Sequence, residues 1–431
     1  MAVTSGLYKK FFRPVQYFVA LAFVLLLSGC GGSPTSGWNA PAQGVVTNDP
    51  NSIPNMAWQT AGDRQDLAQQ GKDIAAGRPG LVNAGALPKV KVAILLPMTG
   101  KNGDLGNAML KAAQMALFDI GSGNFELVPK DTHSTSAGAA DAAKDAIADG
   151  AKLLLGPIFA DDVRAVKPVA SAANVPVVAF TTDWTIAGND TYIMGFLPFA
   201  QVARVTQYAQ TKGYNRFGVF APQTPYCDAV ISTLQRSGAT VSKLERYAPA
   251  QVDISTQAAD FATTGKNPDG TFVFNSLMLP VGGENLRSLV TVLSQQGITA
   301  DNTKLIGTGL WDDASLTNDP AIYGGWFAAP DPQQRRDFEK RYQDNYGAAP
   351  PRLSTLAYDA TALAAVLART GDAAPFSRDH MTNARGFAGI DGIFRFRPDG
   401  LSERGLAVLE IQGGKARVID PAPTAFLSSG S

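Results

Sequence analysis

Val90-Lys91-Val92-Ala93-Ile94-Leu95-Leu96-Pro97-Met98-Thr99-Gly100 is an apolar run stopped by Pro and Gly. Seven residues rich in Val, Ile and Leu, closed by turn residues, read as a strand buried on both faces. A polar, Gly-rich loop to Gly106 follows, and Asn107 to Ile120 reads as a helix. The alternation continues with strands at Phe125 to Pro129, Leu153 to Leu155 and Val175 to Phe180, interleaved with helices at Ser136 to Asp149 and Asp161 to Ala173. Tyr192 to Phe196 closes this first block. Short strands separated by amphipathic helices make βαβ units and a mainly parallel sheet.

A second block repeats the rhythm. A helix at Phe199 to Lys212 leads to strands at Arg216 to Ala221, Thr240 to Arg246, Thr271 to Leu277 and Lys304 to Gly307. Helices at Pro225 to Arg236 and Glu284 to Gln296 separate them, the latter ending at Gly297, a residue suited to a left-handed cap. Gly325 to Ala329 returns to a strand, and Pro332 to Tyr346 and Leu353 to Arg369 give two helices broken by Pro350-Pro351. Near the end, Ile393 to Phe396 and Leu406 to Ile411 flank Pro398-Asp399-Gly400, with Gly413-Gly414 next, an antiparallel hairpin pattern.

Before all this, Lys9, Lys10 and Arg13 precede an uncharged apolar run from Val15 to Leu27. That is the layout of a signal peptide, and the run falls short of the roughly 20 residues a membrane span needs. Leu27-Ser28-Gly29-Cys30 resembles the bacterial lipobox, which implies cleavage before Cys30 and its lipidation. Gly31 in place of an Asp implies attachment to the outer membrane rather than the inner. From Gly31 to Leu87 large apolar residues are few, so this stretch reads as a tether; Asp63 to Ala76 could form a polar helix within it, with only a thin apolar stripe. About 57 residues span on the order of 190 Å when fully extended.

The chain of 431 residues balances 37 basic against 37 acidic side chains and has no long basic cluster, which excludes the footprint of a nucleic-acid binder. With Cys30 lipidated, Cys227 has no partner for a disulfide and reads as an inert thiol. The two histidines, His133 and His380, fit no metal-ligand spacing, and no nucleophile elbow, Walker loop or dinucleotide fingerprint occurs. An enzyme, a metal site and a cofactor are therefore not expected.

The order of these elements, with Leu155-Gly156-Pro157-Ile158, Pro176 to Phe180, Tyr226, Gly307-Thr308-Gly309-Leu310-Trp311 and Gly392 to Phe396, resembles the type I periplasmic binding fold of leucine/isoleucine/valine-binding proteins. It implies two α/β lobes, each a mainly parallel sheet flanked by helices and joined by crossover hinges. The expected organisation is a signal peptide at 1–29, the lipidated cysteine and tether at 30–87, a first lobe at 88–198 plus 322–390, a second at 199–321 plus 391–420, and a tail at 421–431. Anchor and tether look like the penicillin-binding protein activators of the outer membrane, although the helical repeat domain of the best-known members is missing. That likeness implies a lipid-anchored periplasmic regulator of peptidoglycan synthesis whose partner is a penicillin-binding protein. The alternative is the receptor of an ABC importer for branched-chain or other amino acids or amides.

In open α/β sheets ligands bind beyond the carboxyl ends of strands. That rule and the resemblance single out Thr99, Thr181, Thr182, Asp183, Tyr226, Trp311 and Asp312 as candidates for a small-molecule ligand between the lobes. Each has a plainer reading: turn hydroxyls for the threonines, a cap for Asp183, a surface ring for Tyr226, and a core plug for Trp311, which is favoured over stacking. The receptors' serine position falls at or near Ala160 and their threonine at or near Asp183, while Gly309 stands where an acid would meet an amino group. An amino-acid zwitterion is poorly catered for by this set.

Overall fold

The computed structural model describes residues 89–121, 124–249, 251 and 253–426. The signal peptide, Cys30, the tether and the helix considered at Asp63 to Ala76 lie outside the described residues. No helix among the described residues is long and apolar enough to cross a membrane.

The first sheet joins β1 (Val90–Leu96), β2 (Phe125–Asp131), β3 (Leu154–Leu155), β4 (Val177–Ala179) and β5 (Thr191–Ile193). They run parallel in the order β2-β1-β3-β4-β5. β1 is central, and Val92 to Leu96 are all fully buried. Alternation sends Val92, Ile94 and Leu96 into one core and Ala93 and Leu95 into another, which is why the run is apolar without a break. The first core is closed by α1 (Gly103–Ile120) and by α9 (Ser354–Ala368), the second by α2 (Ser136–Ala148) and α3 (Ala160–Ala172). Ala139, Ala142, Ala143 and Ala146 form one small-residue stripe on α2, opposite Val163, Val166 and Ala170 of α3.

The second sheet contains β6 (Arg216–Pro222), β7 (Thr240–Tyr247), β8 (Ser276–Met278), β9 (Lys304–Ile306) and β10 (Trp326–Ala329). Two antiparallel strands, β14 (Ala407–Gln412) and β15 (Lys415–Asp420), extend it to the order β15-β14-β10-β9-β8-β6-β7. Its helices are α4 (Pro198–Thr211), α5 (Pro225–Arg236), α6 (Ser255–Thr264) and α7 (Gly283–Gln295). Gly297 does adopt the left-handed conformation after α7, with φ of 79°. A small antiparallel sheet unites β11 (Phe387–Gly389), β12 (Gly392–Phe396) and β13 (Ser402–Arg404), while α8 (Pro332–Tyr346) and the short α10 (Arg378–Met381) complete the fold.

Several local expectations are corrected. Trp326–Ala329, expected in the first lobe, hydrogen-bonds beside β9 in the second sheet, where Tyr208 and Tyr214 pack edge-on against Trp326. Gly392–Phe396, expected in the second lobe, packs Phe394 and Phe396 into the first lobe's core beside Ile94 and Phe180. The strand expected at Thr271 to Leu277 is only Ser276–Met278, because Phe272 and Phe274 stack on each other in the preceding loop, 5.0 Å apart. α6 was not anticipated: its apolar side is only Ala258, Phe261 and Ala262 amid Ser, Thr, Gln and Asp.

The chain therefore passes between the lobes at three places. Residues 194–197 join β5 to α4, residues 330–331 join β10 to α8, and residues 405–406 join β13 to β14. α8 belongs with the first lobe, since Phe338 and Tyr342 pack against Ala112, Met115 and Ala116 of α1.

Candidate functional site

The candidate residues lie beyond the carboxyl ends of strands in the two sheets. Thr99 follows β1, and its loop is organised by Asp131 at the end of β2. Asp131 Oδ1 accepts from the backbone N–H groups of Met98, Thr99 and His133 at 2.9, 3.2 and 2.8 Å, and Oδ2 accepts from the Thr99 hydroxyl at 2.6 Å. Partial burial pushes the Asp131 carboxyl upward, but these hydrogen bonds outweigh it and hold the group below its ordinary value. The Thr99 hydroxyl also meets His133 Nδ1 at 2.9 Å, so it is held by its own loop.

Thr181 follows β4 and is buried, with Oγ1 accepting from the Asp183 N–H at 3.1 Å. The loop presses closely on the first crossing, where a Cβ on Gly195 would stand 2.1 Å from the Thr181 carbonyl oxygen. Thr182 is exposed. Asp183 caps the 3-10 turn Trp184–Ile186, accepting from the Thr185 N–H at 3.0 Å and its hydroxyl at 2.6 Å, and it forms an ion pair with Arg164 of α3. Burial would raise its pKa, but the Thr185 bonds and the Arg164 charge prevail and lower it.

On the second lobe, Thr224 caps α5 and Pro225 opens its first turn, which sets Tyr226 facing the loop after β9. The Tyr226 hydroxyl donates to Thr308 Oγ1 at 2.8 Å, and desolvation pushes its pKa up to about 12. Cys227, next along α5, is a buried free thiol raised by desolvation, which disfavours the nucleophilic thiolate. Trp311 has no exposed surface, and its Nε1 donates to the Val281 carbonyl at 3.0 Å. A Cβ on Gly307 would lie 2.1 Å from the indole, so glycine there makes room for the ring. Of its two readings Trp311 takes the core plug, and the ligand role carried with it is withdrawn.

Asp312 has charged partners from the other lobe. Arg335 at the start of α8 grips both its carboxylate oxygens, the longer bond 3.0 Å, and Arg352 Nε stands 3.9 Å away. Arg352 in turn lies over the Phe196 ring, 4.2 Å from its centroid, and donates to both oxygens of the buried Asp391 at 2.8 and 3.2 Å. Arg404 is also buried, stacks on Phe196 and Phe394 at 5.1 and 5.4 Å, and donates from Nη2 to the Met194 carbonyl. The base of the space between the lobes is thus an inter-lobe charge cluster built on the crossings.

Thr181 and Asp183 are joined directly, and Tyr226 reaches the loop that leads to Trp311. Among the described residues no hydrogen bond or ion pair joins Thr99, Thr181, Thr182 or Asp183 to the second-lobe candidates. Sequence reasoning missed Arg164, Arg335, Arg352 and Arg404. It also missed Asp359, although an acid inside the apolar run Leu353 to Ala368 was a usable signal. Among the described residues no cluster suited to a metal ion occurs.

A family model described as periplasmic binding protein matches residues 89–416. The chain belongs to the periplasmic binding protein family. Its fold is that of the type I members, as solved structures of similar shape show. A putative branched-chain amino acid ABC transporter from Rhodospirillum rubrum is 19% identical with a TM-score of 0.67, the match covering 77% of this chain and 100% of that one. The branched-chain amino acid transporter substrate binding protein of Streptococcus pneumoniae, solved with isoleucine, is 18% identical over 77% of this chain and 100% of its own, with a TM-score of 0.54. A solute binding protein of an ABC transporter from R. palustris, solved with benzoate, is 16% identical over 79% of this chain and 98% of its own, with a TM-score of 0.55. No curated protein sequence matches this periplasmic binding protein.

Proposed function

We propose that this periplasmic binding protein is a lipid-anchored regulator of peptidoglycan synthesis that acts on a penicillin-binding protein, with its two-lobed domain as the contact surface. Lipidation at Cys30 holds it to the outer membrane, and the tether gives it reach. The observation that supports this reading best is the commitment of the candidate charges: Asp183 is engaged by Arg164 within its own lobe, and Asp312 by Arg335 across the lobes. A carboxylate ligand arriving beside Asp183 would find Arg164 already engaged by Asp183 and Asp161, and an ammonium group could reach Asp312 only by displacing an arginine.

A second reading is a solute receptor, favoured by the isoleucine and benzoate in the similar structures and by the half-buried Tyr226, whose hydroxyl meets Thr308 beyond the carboxyl ends of the second-lobe strands. Thermal unfolding of the chain against amino acids, benzoate and peptidoglycan fragments separates the two. A receptor at 100 times its Kd gains about 2.7 kcal/mol, and its Tm rises by several degrees. The expected outcome is no shift with amino acids or benzoate, together with faster glycan polymerisation by a penicillin-binding protein when the chain is added. A clear shift with one solute and no effect on polymerisation would replace the regulator by the receptor.

A further inference from the structure

A groove of about 570 Å³ lies beside the hinge, and none of Thr99, Thr181, Thr182, Asp183, Tyr226, Trp311 or Asp312 lines it. One wall is second-lobe helix, α4 and the end of α5; the other is the β12–β13 hairpin, which the Ile193 N–H ties to the first sheet by donating to the Gly400 carbonyl at 2.8 Å. The groove therefore has one wall on each lobe. Phe199, Ala200, Ala203 and Leu401 give it an apolar floor, and Arg204, Arg236, Arg397 and Arg404 surround that floor with cations.

These arginines are not equally committed. Arg204 is paired with Asp420, and Arg397 with Asp399. Glu403, the acid of the lining, is held by Arg395 outside the groove. Arg236 bonds only to the hydroxyls of Ser232 and Thr233, and no carboxylate among the described residues lies within ion-pair distance of it. Arg404 is only 8% exposed, yet among the described residues its Nε and Nη1 have no hydrogen-bond partner, and the Ser402 hydroxyl, equally buried, has none among them either. Buried donors left unmade cost about 1–3 kcal/mol each, more when charged. Ser402 and Arg404 also line an adjoining void of about 10 Å³ at the crossings, enough for about one water. A water there would satisfy part of the set; on the protein side the Arg404 charge faces the buried Asp391 and Asp359, which leaves Arg236 as the cation of the lining with no carboxylate partner among the described residues.

We propose that this groove beside the hinge binds a small organic anion, its apolar body on Phe199, Ala203 and Leu401 and its acidic group drawn by Arg236 and Arg404 with Ser402. The volume falls within the range of small-molecule sites. Because the ligand would touch both lobes, occupancy fixes the angle between them.

The test is calorimetric titration of the chain at constant ionic strength with terephthalate, which joins an apolar ring to carboxylates, with the uncharged terephthalamide, and with inorganic phosphate. Terephthalate is expected to bind and terephthalamide not to. Ala203→Trp, which fills the groove from an exposed position, and Arg236→Glu, which reverses an exposed charge, should each weaken binding at least tenfold with the Tm of the free protein little changed. Phosphate binding with the same sensitivity to Arg236→Glu would support the site and identify charge as sufficient for recognition. Absence of binding by both anions at millimolar concentration would overturn the proposal, as would terephthalate affinity untouched by both substitutions. Should Ala203→Trp fail to fold, the charge reversal decides alone.

Discussion

Asp359 has no solvent access; its Oδ1 accepts from the Ile390 N–H at 2.8 Å, and its Oδ2 accepts from the N–H of Asp391, the next residue, at 3.5 Å. Burial, reinforced by the Asp391 charge, pushes the Asp359 carboxyl up to about 8. Asp391 is equally buried, but its two bonds to Arg352 and the nearby Arg404 overcome desolvation and pull it down. Folding raises the Asp359 pKa from 3.8, so the folded state binds more protons over the interval between the two values. Its contribution to stability is complete below the unfolded value and is lost as pH rises through about 8. Asp391 contributes in the opposite sense: its stabilisation is present above the unfolded value and is lost as pH falls through its depressed folded value. Urea unfolding at a series of pH values should show stability falling as pH rises from about 4 to about 8 and levelling off above that, and Asp359→Asn should flatten that slope. Asp391→Asn should cost about 3 kcal/mol at every pH above 5, because it strands Arg352 beside a buried site. At this scale the sequence was informative about position and silent about partners. Asp183 was readable as a cap, but Arg164 and Arg335, which neutralise the candidate acids, lie 19 and 23 residues from them, and no periodicity marks such a pairing.

Among the elements, β1 was legible in full because both its faces are buried, which leaves an unbroken apolar string. Among the strands of two to four residues, β3, β4, β5, β9 and β10 were legible as parts of apolar clusters, whereas β11 and β13 were not anticipated, and β10 was assigned to the first lobe, wrongly, because four apolar residues suit either sheet. α6 stayed hidden because its buried side is one Phe between two alanines. The crossings were the least visible elements, since a hinge is defined by what its flanks pack on. The ion pair of Asp312 with Arg335 acts between these elements as a latch. Asp312→Ala should weaken it by about 1.5–3 kcal/mol, read as faster hydrogen exchange at residues 194–197 and 330–331. Exchanging the charges, with Asp312→Arg and Arg335→Asp together, should restore part of the protection. Gly307→Ala is the local counterpart: its methyl would press into the Trp311 ring and cost about 1–3 kcal/mol, measured as a lower urea midpoint.

At the level of the whole molecule, the two-lobed α/β architecture was readable because element order survives errors at every boundary. The function of the space between the lobes was less so, since it depends on which charges meet across it. The three crossings carry one more consequence. Neither lobe is a continuous stretch of chain: the first core is complete only when α9, Phe394 and Phe396 have joined Ile94 and Phe180. A chain emerging with its amino end first, from a ribosome or an export channel, must keep β1 to β5 waiting until about nine-tenths of its length is out. Ile94, Leu96 and Phe180 are accessible throughout that interval, and long-range closure of this kind is slow. A chain stopped before Gly386 should therefore be degraded by trypsin as an unfolded polypeptide rather than yield a resistant first lobe, and a holding chaperone should matter more to this protein's yield than any gain in its final stability.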